Sequence, residues 1–166
     1  MRLLALPSIV IVLSLTSAPN AERQAARACG SAPARSASAF AVVERRAPAD
    51  TLATVTICLM SDTAMLHIAG YHGELTLSRN SRVVHVDRPS GGTRIENTTV
   101  PGRVSFAGVL SSGINSGPVL ALTVARLSAG DDARLRLTML DVTDVGGRDV
   151  AAQVRVDSMP RPTRQP

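Results

Sequence analysis

From residue 39 onward, apolar and polar side chains alternate in short runs divided by turn residues. In 52–60, Val55, Ile57 and Leu59 stand against Thr54, Thr56 and Cys58, the period of two that a strand with one buried face requires. The run 73–78 repeats it, with Leu75 and Leu77 against Glu74 and Thr76. Arg79-Asn80-Ser81 turns the chain into 83–86, and Ser90-Gly91-Gly92 opens a polar stretch, 93–100, that reads as an edge strand. Pro101-Gly102 leads into 103–110, where Val104 and Phe106 point one way. After a loop at 113–118, the run 119–127 sets Leu120, Leu122 and Val124 inward. In 134–140, Leu135, Leu137 and Met139 alternate with Arg134, Arg136 and Thr138. With 40–44 in front and 150–156 behind, the pattern predicts eight or nine strands within 39–157 and no helix. Gly91-Gly92 and Gly146-Gly147 read as hairpin turns. Short strands at such even spacing predict an all-β fold, a jelly-roll β-sandwich.

The ends follow other patterns. Arg2 followed by the apolar run 3–15, then small and polar residues to Ala21, predicts a secretory signal peptide over 1–21. Its boundary extends to 28 if the small-x-small triplet Ala26-Arg27-Ala28 is the cleavage signal. The apolar run falls short of the roughly 18 residues that span a bilayer, so no membrane span is expected once the signal is removed. The expected location is secreted, extracellular or periplasmic. A lipid anchor on Cys29 is not expected, because Ala26 and Arg27 do not fit the residues that precede a lipidated cysteine. Residues 22–38, rich in Ala, Arg and Ser, read as a flexible linker, and 158–166, with Pro160, Pro162 and Pro166, as a disordered tail. An oxidising compartment permits a bridge between Cys29 and Cys58. The alternative is a buried Cys58 with Cys29 free or lost with the signal.

Charge changes the picture less than its total suggests. The net charge is +5, and all 18 basic residues are arginines. Within 39–157 twelve arginines face twelve acids, so the surplus sits at the two ends. Nucleic-acid binding needs a basic face with stacking aromatics, and neither is present. His67, His72 and His85 form no recognisable constellation. Gly-x-Ser-x-Gly, phosphate-loop and dinucleotide patterns are all missing. Two thiols without a histidine cluster make no zinc site. Asp131, Asp132, Asp141, Asp144 and Asp149 lack the calcium-loop rhythm and read as acidic turns. No catalytic residue, metal or cofactor is therefore expected. With one Tyr, two Phe and no Trp, the chain cannot build an aromatic platform for sugar rings. A polysaccharide partner stays as an alternative through hydrogen bonding alone.

What remains is a binding surface. The outward positions Glu74, Thr76, Ser105, Ala107, Ala121 and Thr123 are small or polar and would admit a partner closely. The alternative is a face that is covered or simply solvated. Arg134 and Arg136 read as edge charges that discourage strand pairing between molecules.

Three segments carry a resemblance. Leu75-Thr76-Leu77-Ser78-Arg79-Asn80 leads to Val83-Val84-His85-Val86. Gly102-Arg103-Val104-Ser105-Phe106-Ala107 is followed, after Gly117-Pro118, by Val119-Leu120-Ala121-Leu122-Thr123-Val124. Leu135-Arg136-Leu137-Thr138 precedes an acidic turn, 141–147. In this order they resemble the cohesin family over 39–157, with Arg79 and Asn80 standing where cohesins show Tyr-Asp. The resemblance implies a cohesin-like sandwich and a secreted, non-catalytic module whose partner is a dockerin-like, calcium-binding helical domain. It also implies a setting in polysaccharide degradation or cell-surface assembly. A carbohydrate-binding module of the same shape and a small secreted structural protein are the alternatives.

Overall fold

A computed structural model of the chain describes residues 18–30, 37–47, 49–61, 66–87, 93–114 and 116–162. Among them the alternating runs form β1 (Ala37–Glu44), β2 (Ala53–Met60), β3 (Ile68–Thr76), β4 (Arg82–Asp87) and β5 (Thr93–Asn97). They are followed by β6 (Arg103–Ile114), β7 (Ser116–Ala125), β8 (Arg136–Asp144) and β9 (Val154–Pro162). A helix, α1 (Ala18–Cys29), precedes them. Strands in the order β4-β7-β2-β1-β9 make one sheet, and β5-β6-β3-β8 make the other. Every pairing is antiparallel except that of β1 with β9.

Alternation explains the core. Val55, Ile57 and Leu59 of β2 and Leu122 and Val124 of β7 meet Leu75 of β3, Val104 and Phe106 of β6, and Leu137 and Val142 of β8. All are buried, and each side chain of this size contributes roughly 1.5–3 kcal/mol on leaving water. The two-layered sandwich expected from strand spacing is the architecture found.

Several boundaries differ from expectation: β3 begins at Ile68 and not at 73, and Ala151–Gln153 form a short 3-10 helix before β9, where a strand over 150–156 was expected. Residues 113–118, read as a loop, lie largely in β6 and β7, which run on to Ile114 and from Ser116. Arg134, read as the start of a strand, ends a short 3-10 helix, Ala129–Arg134, and the strand itself continues through Asp141 to Asp144. Ser128 stabilises that helical turn: its hydroxyl and backbone N–H both donate to Asp131 Oδ2, at 2.7 and 3.2 Å.

The chain ends differ more. Within 22–38, read as a flexible linker, the second half of α1 and the first residues of β1 are ordered. A Cys29–Cys58 disulfide ties the end of α1 to β2, and β1 pairs with β2 and β9. α1 also overlaps the end of 1–21, read as the signal, while 1–17 and 31–36 lie outside the described residues. Residues 158–162, read as tail, extend β9, and Val42 and Val43 of β1 pair with Arg161 and Pro162. β9 is an edge strand, where proline is tolerated because one row of N–H groups needs no partner. No helix among the described residues is long and apolar enough to cross a membrane.

Candidate binding face

The outer surface of the four-stranded sheet is built by register. Thr93, Val109, Gly70 and Thr143 lie side by side across its strands. Ile95, Ala107, His72 and Asp141 make the next row, then Asn97, Ser105, Glu74 and Thr138. Arg103, Thr76 and Arg136 complete the face. One end is thus apolar and the other charged. Ile95 and Val109 are 69% and 63% exposed, and Leu140, the extra residue of a bulge in β8, is 47% exposed. Between Ile95, Val109, His72 and Asp141 the surface sinks into a depression of about 290 Å³. It exists because Gly70 and Ala107 have little or no side chain there; Thr143 Oγ1 already occupies the space a Cβ on Gly70 would need.

Hydrogen bonds fix the walls. The His72 ring lies 3.4 Å from Asp141 through Nδ1 and Oδ2. Glu74 accepts from the Ser105 hydroxyl at 3.4 Å and pairs with Arg103 at 3.8 Å. Beneath the depression, Arg94 Nε donates to the Tyr71 hydroxyl at 2.8 Å, and that hydroxyl donates to Val119 O at 3.4 Å. Burial pushes the Tyr71 hydroxyl above the usual phenol range, against the opposing pull of Arg94. Tyr71 therefore stays a neutral donor throughout the ordinary pH range.

Of the residues read as one face, Glu74, Thr76, Ser105 and Ala107 do lie together here. Ala121 and Thr123 do not: they are on β7, in the other sheet, on its outer side. Ala121 is buried, on a strand against which α1 packs. Alternation says which way a side chain points from its own strand, not which sheet the strand joins. Ile95 and Val109, the most exposed apolar residues of the face, were missed. Val109 shares the parity of Ser105 and Ala107, so the same count along β6 would have found it. All three aromatics are buried, Phe40 in the outer layer under α1 and Tyr71 and Phe106 in the core. Among the described residues, no group of three or more His, Cys, Asp or Glu could hold a metal ion.

At the end of β8 the buried Asp144 organises a turn. Its Oδ1 accepts the backbone N–H groups of Gly146 at 2.8 Å and Arg148 at 3.0 Å, and its Oδ2 accepts the Arg148 guanidinium at 2.7 Å. The Arg148 backbone bond, then its side chain, holds the Asp144 carboxyl below the usual aspartate range. A depressed carboxylate adds stability above its unfolded value, near pH 4, and loses it as pH falls through the folded value. Asp144→Asn should therefore be less stable than the parent at pH 7, with the gap closing below pH 4. Thermal melts from pH 2 to 7 check this; parallel curves for the two proteins would contradict it.

No protein-family model and no curated protein matches the sequence. Solved structures do. A non-cellulosomal cohesin from the archaeon Archaeoglobus fulgidus superposes with a TM-score of 0.56, covering 74% of this chain and 86% of that one, at 15% identity. The sixth cohesin of scaffoldin B from Acetivibrio cellulolyticus, solved with the Cel5 dockerin, gives 0.53 over 75% and 96% at 12% identity.

The chain has the cohesin fold. A type I cohesin–dockerin complex from Clostridium thermocellum agrees, with a TM-score of 0.50 over 78% and 95% at 9% identity. These matches also give the sandwich its jelly-roll topology. In this cohesin-like domain α1 is bridged to β2 and β9 extends to Pro162.

Proposed function

We propose that this cohesin-like domain is a non-catalytic docking module whose four-stranded sheet receives a dockerin-type helical domain outside the cytoplasm. One contrast carries the reading. The outer face of the five-stranded sheet is buried along Phe40, Val42, Cys58 and Met60, whereas the four-stranded sheet leaves Ile95 and Val109 open to solvent. Exposed apolar side chains grouped beside polar ones mark an interaction surface. The fold supports the partner class, since two of the similar cohesins were solved holding dockerins. A partner helix would seat an apolar side chain in the depression, with Asp141 and Arg103 setting its orientation. The basic-then-apolar start of the chain and the Cys29–Cys58 bond support an oxidising, exported setting. A sugar platform draws no support from aromatics that are all buried.

Calorimetric titration of the protein with dockerin-type domains exported by the same organism tests this. One-to-one binding is expected, weakened at least tenfold by Val109→Asp and unchanged by Arg155→Glu on the other sheet. Val109 is exposed, so its replacement should alter stability by no more than about 0.5 kcal/mol. No binding, or equal binding by Val109→Asp, would reject the proposal.

A further inference from the structure

The outer face of the five-stranded sheet holds a conflict that α1 does not resolve by packing. α1 lies against β2 and β7, and its end meets an apolar strip of Phe40, Val42, Cys58 and Met60. Among the described side chains of the helix, Ala28 and Cys29 meet this strip and Ala25 is buried, while Arg23, Ala26 and Arg27 face solvent. Alanines bury little area, so these contacts add little to docking. The covered state carries a cost as well. Ser38 Oγ and Thr56 Oγ1, on this same outer face, are buried without a hydrogen-bond partner, which exposure to water would relieve. Weak packing and stranded hydroxyls favour release of the helix; the Cys29–Cys58 bond opposes it.

We propose that this disulfide is a redox latch that clamps α1 over the five-stranded sheet, and that its reduction frees the helix and uncovers the apolar strip. The reductant is a dithiol. Cys29 is the less buried residue, 6% against 0% exposed for Cys58, so the reductant's thiolate attacks its sulfur and Cys58 leaves as a thiolate. The reductant's second thiol then displaces Cys29, closing the reductant into its own disulfide. Two electrons and two protons end on Cys29 and Cys58 as free thiols. The helix is then joined to the domain only by the backbone that leads from Gly30, whose left-handed φ of +67° ends α1, to β1. The four-stranded sheet, on the far side of the core, keeps its structure through the change.

Hydrogen exchange on the full chain, with and without excess dithiothreitol, tests the latch. Reduction should speed exchange of the α1 amides at least 100-fold and raise the fluorescence of a hydrophobic dye severalfold, while β3 and β6 stay protected. Reoxidation should restore the starting state, and Cys29→Ser should show the released state without reductant. Protection of α1 that survives reduction would overturn the proposal, because the helix would then dock without the bond. Loss of protection in β3 and β6 together with α1 would also overturn it, the bond then being a staple for the whole domain.

Discussion

Gly73→Val is expected to destabilise the domain by about 3 kcal/mol, lowering Tm by on the order of 10 °C. Gly73 sits on β3, the strand flanked by β6 and β8 in the four-stranded sheet, and its missing side chain would point inward. A Cβ there would stand 2.6 Å from Phe106 Cζ, 2.8 Å from the Thr138 carbonyl oxygen and 3.0 Å from Met139 Sδ. The Phe106 ring can shift only within a filled core. The Thr138 carbonyl belongs to the backbone of β8 and cannot shift without disturbing that strand's pairing. Overpacking of this kind is relieved only by distortion. Gly73→Ala should cost less, about 2 kcal/mol. If the Phe106 contact dominates, Phe106→Leu should cost less in the Gly73→Ala background than in the parent, a coupling that a double-mutant cycle measures. Thermal melts of the four proteins decide it. A neutral Gly73→Val would mean that the inner face of β3 is looser than the geometry allows.

Arg45→Ala should cost about 2–3 kcal/mol, somewhat below the 3–5 kcal/mol range for breaking a fully buried ion pair. Arg45 follows β1, and its side chain, 9% exposed, reaches the segment between β7 and β8. Its guanidinium forks onto Asp132, donating to Oδ2 at 2.7 Å and Oδ1 at 2.6 Å. The remaining donors go to the carbonyl oxygens of Leu127 and Ser128, each at 3.2 Å, and of Asp50, also at 3.2 Å. One side chain thus ties two connections that lie far apart in sequence. Alanine strands three carbonyls and a carboxylate. Asp132 is 29% exposed and partly rehydrates, which places the expected cost below the full range. Arg45→Lys keeps the charge but loses the fork, and should still lose about 1 kcal/mol. Denaturant unfolding of both variants checks the pin, with an unchanged midpoint for Arg45→Ala as the contrary result.

How far each feature could be read in advance depended on the range of the interaction that sets it. β2 was plain because Val55, Ile57 and Leu59 alternate with polar neighbours over consecutive residues. β8 was displaced toward its end because Leu135 and Leu137 extend the alternation backward, while the Ser128–Asp131 bonds wind the residues before Leu135 into a helical turn. Residues 22–29 of α1 were read as linker because their alanines and arginines showed no apolar period; a bond to Cys58, 29 residues away, ties them to β2. Residues 158–162 read as tail because their prolines suggest disorder, yet β1 offers them a free edge to pair with. Of the positions read as one face, those of β3 and β6 share a sheet surface, while Ala121 and Thr123 belong to the opposite sheet.

The order of residues alone settled that the domain is all-β, that it has eight or nine strands, and which side chains of each strand turn inward, while several strand ends lay three to six residues from where they were read. Those properties follow from a period of two that each segment carries within itself. The neutral balance of charge in 39–157, hidden under a total of +5, also needed no structure. The fold decided which strands share a sheet, that one outer face is covered along β1 and β2 and the other open, and that the apolar residues Ile95 and Val109 stand on the same face as Glu74 and Ser105. These depend on pairings between segments distant along the chain, and backbone hydrogen bonding is indifferent to which of several similar strands supplies the partner. Only the simultaneous filling of one core selects among them.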